Sequence, residues 1–169
     1  MSNLLVQNIK HTNNTTAINV DSSGRVFTPI RPAFFAYATS SPYISSAATD
    51  QKVGLVEDYD KTNNFDNSEF TCPVSGLYQF NICVNFYASS ISTRYVRTRL
   101  YKNGSTTEIE SHSHMSNESG NADYAQTTFG CTLDLSANDV MSLYVTSSST
   151  SVQVAGFNKT THFSGYLIG

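Results

Sequence analysis

The sequence predicts an all-β sandwich of many short antiparallel strands, and composition, length and periodicity each support this. Ten Tyr and ten Phe accompany only 14% charged residues, a balance that favours strands, in which aromatic and β-branched side chains are enriched. A chain of 169 residues suits one domain of usual size that buries its core without disulfide or metal support. Because apolar residues alternate over short segments and no helical period is sustained, strands are favoured over helices throughout.

Residues 1–31 form a region of their own, before a body at residues 32–169. Short apolar stretches flank a polar run, and a turn sequence at 21–24 precedes a further stretch, a pattern that predicts a small β-meander. An isolated hairpin is marginally stable in water, so we expect this region to pack on copies of itself or on a partner. Pro29 and Pro32 mark the junction because each fixes φ and lacks a backbone N–H.

The body is predicted to consist of ten strands in succession. They cover residues 33–38, 52–59, 70–72, 76–87, 95–102, 109–114, 124–135, 140–146, 152–155 and 163–168. Asn103 and Gly104 give the strongest hairpin signal, because both residue types accept positive φ. This spacing of strands and turns is typical of a β-sandwich.

The predicted strand at 76–87 has two distinct faces, because successive side chains of a strand point to opposite sides. One face holds large apolar side chains and is predicted to be core: Tyr78, Phe80, Ile82, Val84 and Phe86. The other face holds Gln79, Asn81, Cys83 and Asn85. That second face is uncharged, which is typical of a surface partly covered by another subunit.

Charge and hydropathy exclude two classes of partner. The net charge is −3, but residues 1–31 carry a net +2, from Lys10, Arg25 and Arg31 against Asp21. The remaining body is acidic, which disfavours nucleic-acid binding. No apolar run is long enough to span a membrane, and the first residues resemble no signal peptide. We therefore expect no nucleic-acid partner, no membrane insertion and synthesis in a cytoplasm.

Catalytic chemistry has no support in the sequence. It contains no nucleophile elbow, no zinc-protease motif and no phosphate-binding glycine loop. The three cysteines, Cys72, Cys83 and Cys131, lack metal or redox spacing and are expected to be reduced and buried. We therefore expect no enzymatic activity and no cofactor.

Two sets of polar residues have side chains that suit metal ligation. The first alternates along one predicted strand and comprises Glu108, Glu110, His112 and His114. The second lies in predicted loops and comprises Asp58, Asp60, Asp123 and Asp139. Both sets lack an ordered ligand motif. We favour an exposed polar strand for the first and turn residues for the second, so no metal site is predicted.

Six short motifs follow one another in the body. In chain order they are Arg31-Pro32-Ala33-Phe34, Phe65-Asp66 before Phe70-Thr71-Cys72-Pro73, Gly76-Leu77-Tyr78-Gln79-Phe80, Leu100-Tyr101-Lys102-Asn103-Gly104, Leu133-Asp134-Leu135 with Asp139-Val140, and Phe163-Ser164-Gly165-Tyr166-Leu167. This succession resembles the C1q-like domains of the C1q and tumour-necrosis-factor superfamily, over residues 31–169. The resemblance implies a ten-stranded jelly-roll sandwich that packs as a homotrimer.

The resemblance also implies which residues line the threefold interface. They come from the strand at 76–87 and from the last strand: Gln79, Asn81, Cys83, Phe163, Gly165 and Leu167. The neighbouring residues Tyr78, Phe80, Tyr166 and Ile168 are then expected in the core.

Residues 6–26 are similar to the openings of virion fibre and appendage proteins of marine tailed phages. This similarity implies a trimeric virion structural protein of the capsid or tail fibre, assembled in the host cytoplasm. Residues 1–31 would attach it to other virion proteins, leaving the head free to contact a host-surface receptor. The residues expected to make the attachment are Leu5, Val6, Ile9, Ile18, Val20 and Phe27.

A secreted C1q-like recognition module that binds a glycan or a protein ligand is the alternative. Such a module must be exported, whereas a phage protein is assembled inside the host and released by lysis. The beginning of the sequence favours the virion interpretation for this reason, and both interpretations stay open at this point.

Overall fold

The computed structural model of the protein describes residues 6–88, 94–115 and 123–168. Leu5, which was predicted to belong to the attachment set, lies outside the described residues. Within these ranges the regular structure is entirely β, and no helix there is long and apolar enough to cross a membrane. The strands are β1 (Asn8–Lys10), β2 (Thr16–Val20), β3 (Val26–Phe27), β4 (Ala33–Tyr37), β5 (Gln51–Lys52), β6 (Val56–Asp60), β7 (Phe65–Asp66), β8 (Glu69–Thr71), β9 (Gly76–Ala88), β10 (Arg94–Lys102), β11 (Thr106–Met115), β12 (Asp123–Leu135), β13 (Val140–Ser147), β14 (Gln153–Val154) and β15 (His162–Leu167).

The chain divides into two compact units, Met1–Arg31 and Pro32–Gly169. The first unit holds one antiparallel sheet in the order β1-β2-β3. Its residues from 6 to 31 are all exposed or half-buried, so this sheet has no core of its own.

The second unit is a sandwich of two antiparallel sheets. The β10 sheet has the order β11-β10-β13-β8-β7, with β5 paired to β13, and the β9 sheet has the order β12-β9-β15-β4-β6, with β14 paired to β9. Strands distant in the chain lie side by side, as β15 does between β9 and β4. This arrangement is a jelly roll, and the predicted all-β sandwich is confirmed.

The core between the sheets is built around four phenylalanines. Phe34 of β4 stacks on Phe70 of β8, with ring centroids 4.5 Å apart, and meets Phe163 of β15 edge-on at 4.9 Å. Phe80 of β9 packs against the same rings. Because β8 belongs to one sheet and the other three strands to the other, these rings hold the sandwich together. Complete burial of each ring contributes about 1.5–3 kcal/mol.

The prediction of one continuous strand at 52–59 is wrong, because the structure contains two separate strands there. Residues 51–52 form β5 in the β10 sheet and residues 56–60 form β6 in the β9 sheet. Val53 and Leu55 between them are buried because the chain crosses the core as it changes sheets.

Gly165 of β15 occupies a site with no room for a side chain. A Cβ atom there would lie 2.6 Å from Cδ1 of Phe80 and 2.8 Å from Cε1 of Phe34. Both are core rings that cannot move outward. The glycine is therefore required by packing rather than by a special backbone angle.

We predict that Gly165→Ala lowers the free energy of unfolding by about 1–3 kcal/mol, the usual cost of overpacking a core. Urea denaturation at fixed protein concentration measures the change. Gly54→Ala is the matched control, because a Cβ there meets nothing within 4 Å. Equal stability of Gly165→Ala and the control would contradict the packing described here.

Candidate subunit interface

Strand β9 presents two faces of opposite character. Its apolar side chains point inward, and each is at most 1% exposed: Tyr78, Phe80, Ile82, Val84 and Phe86. Asn81 on the other side is exposed, and Gln79 and Asn85 are half-buried. The core face predicted for this strand is confirmed.

The predicted faces of the last strand are wrong. Phe163 is fully buried and Gly165 is also buried, whereas Tyr166 is 45% exposed and Ile168 is 39% exposed. Leu167 packs against the core. Phe163, Gly165 and Leu167 therefore lie on the core side, and Tyr166 and Ile168 lie outside it.

The physical reason is the register between β9 and β15. Directly opposed residues of an antiparallel pair share a face, and Gly165 lies opposite Phe80, while Ser164 lies opposite Asn81. Once Phe80 points inward, Gly165 must do so too. Ser164 and Tyr166 therefore accompany Asn81 on the outside. Each lies one position away from the residues predicted for the interface.

The outward positions of the three central strands of this sheet form a continuous surface, which we call the β9-sheet face. Its members are Ala33, Phe35 and Tyr37 of β4, Leu77, Gln79, Asn81, Cys83, Asn85 and Tyr87 of β9, and His162, Ser164 and Tyr166 of β15. These twelve positions include no Lys, Arg, Asp or Glu. The surface therefore lacks the charged side chains that would resist burial by another protein.

Two polar side chains of the β9-sheet face, those of Gln79 and Asn85, already have hydrogen-bond partners within the chain. Gln79 accepts a bond of 2.7 Å from the Thr132 hydroxyl, and its Nε2 donates to the carbonyl of Phe80 at 2.9 Å. The side-chain amide of Asn85 donates to the carbonyl of Thr160 at 2.7 Å. Covering these two side chains consequently leaves their amides paired, which keeps the desolvation cost of these groups low.

Cys83 is largely covered by side chains of its own chain. It is buried, and its Sγ accepts a hydrogen bond of 3.0 Å from Nε2 of Gln126. Within the predicted interface set, Gln79 and Asn81 thus remain accessible on the surface, and Cys83 lies just beneath it.

A groove of about 520 Å³ crosses the β9-sheet face beside β6. Tyr59 and Tyr166 form its walls, Asn81 and Ser164 contribute polar atoms, and Lys61 lies at its margin. The outward residues Ala33 and Ser164 in its lining have short side chains, which leave this space open. It is large enough to receive a side chain from another surface.

One margin of the β9-sheet face carries aromatic and charged groups together. Phe35 stacks on the ring of His162, with centroids 5.4 Å apart. Nζ of Lys159 lies 4.6 Å from the centre of the Tyr37 ring and 2.5 Å from Oδ1 of Asp58. An uncharged centre with charge confined to its margin is the usual anatomy of a protein interface.

The outward face of the β10 sheet is charged instead. Arg99 of β10 binds Glu110 of β11 at 2.8 Å and Asp50 at 2.6 Å. Nε2 of His112 lies 2.8 Å from the second oxygen of Glu110. Both oxygens of this carboxylate are therefore engaged by side chains of the protein itself.

The loop acids have structural partners as well. Asp60 accepts backbone hydrogen bonds at the 62–65 turn, including one of 2.6 Å from Phe65. Asp139 accepts bonds from Lys102 and Asn103, each of 3.0 Å. Among the described residues, no three His, Cys, Asp or Glu side chains are grouped in a way that suits a metal ion.

The cysteines are buried and free, as predicted. Burial raises the pKa of the Cys72 thiol to about 12 and that of Cys131 to about 11. A thiol of this kind holds its proton at neutral pH and is a poor nucleophile.

Asp50 fastens the loop before β5 onto the β10 sheet. Its carboxylate accepts hydrogen bonds from Arg99, Tyr101 and Thr146. Partial burial raises its pKa, but the bonds from Thr146, Tyr101 and Arg99 outweigh burial, and the net pKa lies below its usual value. The sequence analysis missed this residue, because its partners come from strands far away in the chain.

Solved structures with a similar jelly-roll fold superpose on the chain. Murine APRIL shares 9% identity at a TM-score of 0.61, covering 82% of this chain and 99% of its own. The Eiger TNF of S. frugiperda shares 10% identity at a TM-score of 0.62, covering 82% of this chain and 93% of its own. These likenesses establish the fold.

The chain belongs to the C1q domain family, whose pattern matches residues 33–168. Domains of the C1q and tumour-necrosis-factor superfamily typically form homotrimers and are generally binding modules rather than enzymes. Comparison with curated protein sequences gave no match.

We predict that Asp50→Asn lowers the free energy of unfolding at pH 7 by about 1.5–3 kcal/mol, as expected for hydrogen bonds to a charged group. Because folding lowers the pKa of Asp50, the carboxylate stabilises the protein above its unfolded pKa. This stabilisation is lost as the pH falls through the folded pKa.

The difference between wild type and variant should therefore shrink in acid, which urea denaturation at neutral pH and at decreasing acidic pH measures. Glu57→Gln, at an exposed position of β6, is the control and should change little. A stability difference that is the same at every pH would show that the charge of Asp50 is unimportant.

Proposed function

We propose that this protein is a non-enzymatic structural and binding module that forms a homotrimer through its β9-sheet face. The observation that carries the proposal is the unequal distribution of charge over the two sheets. The β9-sheet face contains no Lys, Arg, Asp or Glu, and its Gln79 and Asn85 amides are hydrogen-bonded within the chain, whereas the β10 sheet displays the ion pairs of Arg99. Membership of the C1q domain family supports a trimer in particular.

The interface proposed here differs from the one expected from the sequence. It keeps Gln79 and Asn81 of β9 and replaces the inward residues of β15 with Ser164 and Tyr166. In this arrangement the groove beside Tyr166 receives a side chain of the neighbouring copy. The charged margin near Lys159 stays at the periphery, where ion pairs cost little desolvation.

We predict that Asn81→Lys breaks the trimer, because three like charges would be buried together without partners at a cost of several kcal/mol in total. Sedimentation velocity gives the mass of the variant. Thr107→Lys adds the same charge at an exposed position of β11, in the other sheet, and should leave the assembly unchanged. Trimers that tolerate Asn81→Lys, or that are lost with Thr107→Lys, would place the contact on another surface.

We further propose that the trimer is a virion protein of the capsid or tail fibre, with its first unit attached to other virion proteins and its head exposed. The similarity of residues 6–26 to virion fibre openings supports this role. The first unit also displays exposed apolar side chains, among them Val6, Ile9, Phe27 and Ile30. Several exposed apolar side chains in so short a segment are typical of an interaction surface. A head left on the outside of the particle is free to contact a host-surface receptor.

We predict that a chain lacking residues 1–28 remains a soluble trimeric head but no longer joins the particle. The head has a core of its own, so its folding should not depend on the deleted residues. Immunoblotting of purified particles, with the full-length chain as reference, measures incorporation. Equal incorporation of both chains would show that the head is the anchor. Absence of both from particles, with binding of the pure protein to a glycan or protein array, would support the recognition-module alternative.

A further inference from the structure

The sheet of the first unit has one aliphatic face. Ile9 of β1 lies opposite Ile18 of β2, and Val20 of β2 lies opposite Val26 of β3. Opposed residues share a face, and residues two apart along a strand do so too. These four side chains therefore lie together, and we call them the aliphatic face.

The other side of the same sheet is polar. Asn8 lies opposite Asn19, and the amide of Asn19 donates a hydrogen bond of 2.8 Å to Oδ1 of Asn8. Phe27 also lies opposite Asn19 and belongs to this side. The sheet is thus amphipathic, as a sheet is when one face packs and the other meets water.

Within the described part of the first unit, residues 6–31, the aliphatic face has no cover. Ile9 is 50% exposed and Val26 is 65% exposed, and Ile18 and Val20 are only half-buried. A three-stranded sheet of this size does not enclose a core, and its stability depends on a second layer.

We propose that the aliphatic faces of three copies of this chain pack against one another, so that the first units form a three-sided β-shaft. This inference rests on the proposed trimer. The first unit continues directly into the head at Arg31–Pro32, so a trimeric head holds three identical aliphatic faces at high effective concentration.

Charge and size favour the same chain as the occupant. The aliphatic face carries no charge, and the nearest charges are satisfied locally: Arg25 pairs with Asp21 at 2.7 Å, and Lys10 donates to Asn14 at 3.0 Å. Three aliphatic faces therefore bring no like charges into the contact, and the net charge of +2 on each first unit lies outside it. Four aliphatic side chains are too few to capture a free partner, because association of separate molecules loses translational and rotational freedom. When three copies are already held together by their heads, their first units have already lost this freedom.

The shaft separates the expected attachment residues into two groups. Ile9, Ile18 and Val20 face the interior of the shaft, whereas Phe27 faces outward with the asparagine pair. The outer side is then the surface available to other virion proteins.

Amide hydrogen exchange of the purified full chain tests the shaft, because no other protein is present to cover the sheet. The β2 amides should exchange slowly in the wild-type trimer. Val26→Asn places a polar group in the shaft and should accelerate their exchange by about tenfold or more, while the β9 amides report that the head is intact. Phe27→Asn is the matched control, an adjacent apolar residue on the opposite side of the sheet, and should leave the protection unchanged.

The outcomes separate this inference from the proposed head interface. Fast exchange of β2 in a wild-type chain that is trimeric would overturn the shaft and leave the trimer standing. Loss of protection in Phe27→Asn but not in Val26→Asn would overturn it also, because the wrong side would be packed. If β2 stays protected in a monomeric Asn81→Lys chain, the cover comes from within one copy and the shaft is wrong. A wild-type chain that is monomeric would defeat the head interface and the shaft together.

Discussion

Antiparallel pairing of β9 with β15 is the constraint on which the rest of the structure depends. It sets Gly165 opposite Phe80 and Ser164 opposite Asn81. On the inner side, the missing side chain of Gly165 leaves room for the Phe80 and Phe34 rings, which pack on Phe70 of the other sheet. On the outer side, the same register lines up short, uncharged side chains beside a groove. One pairing thus determines both the packing of the core and the character of the β9-sheet face.

The two sheets differ in what burial of their outer surfaces would cost. Covering the β10 sheet would remove water from the ion pairs of Arg99 with Asp50 and Glu110, and desolvation of charges is expensive. Covering the β9 sheet removes water mainly from uncharged groups, among them the Gln79 and Asn85 amides that already have partners within the chain. Association through the β9 sheet is therefore favoured, even though both surfaces belong to one sandwich.

Much of the fold could be predicted from the sequence because the long strands alternate cleanly. The segment at 76–87 has strict alternation, and its core face is correct. The last strand could not be read in the same way, because Tyr166, Leu167 and Ile168 are consecutive apolar residues and alternation is lost. Only the pairing with β9 decides which of them face inward. That pairing places Gly165 opposite Phe80, so the residues two apart from Gly165 face inward with it. Nothing in the sequence near Asp50 predicts that it fastens its loop to the β10 sheet. Its partners Arg99, Tyr101 and Thr146 lie far away in the chain and come close only in the folded structure.

The mass of the wild-type chain in solution tests the central claim most directly. Light scattering at micromolar concentration should give three times the chain mass of 18.5 kDa, with no dissociation on moderate dilution, because the proposed interface is uncharged. A mass of 18.5 kDa over the same range would contradict the account, since the β9-sheet face would then remain in water.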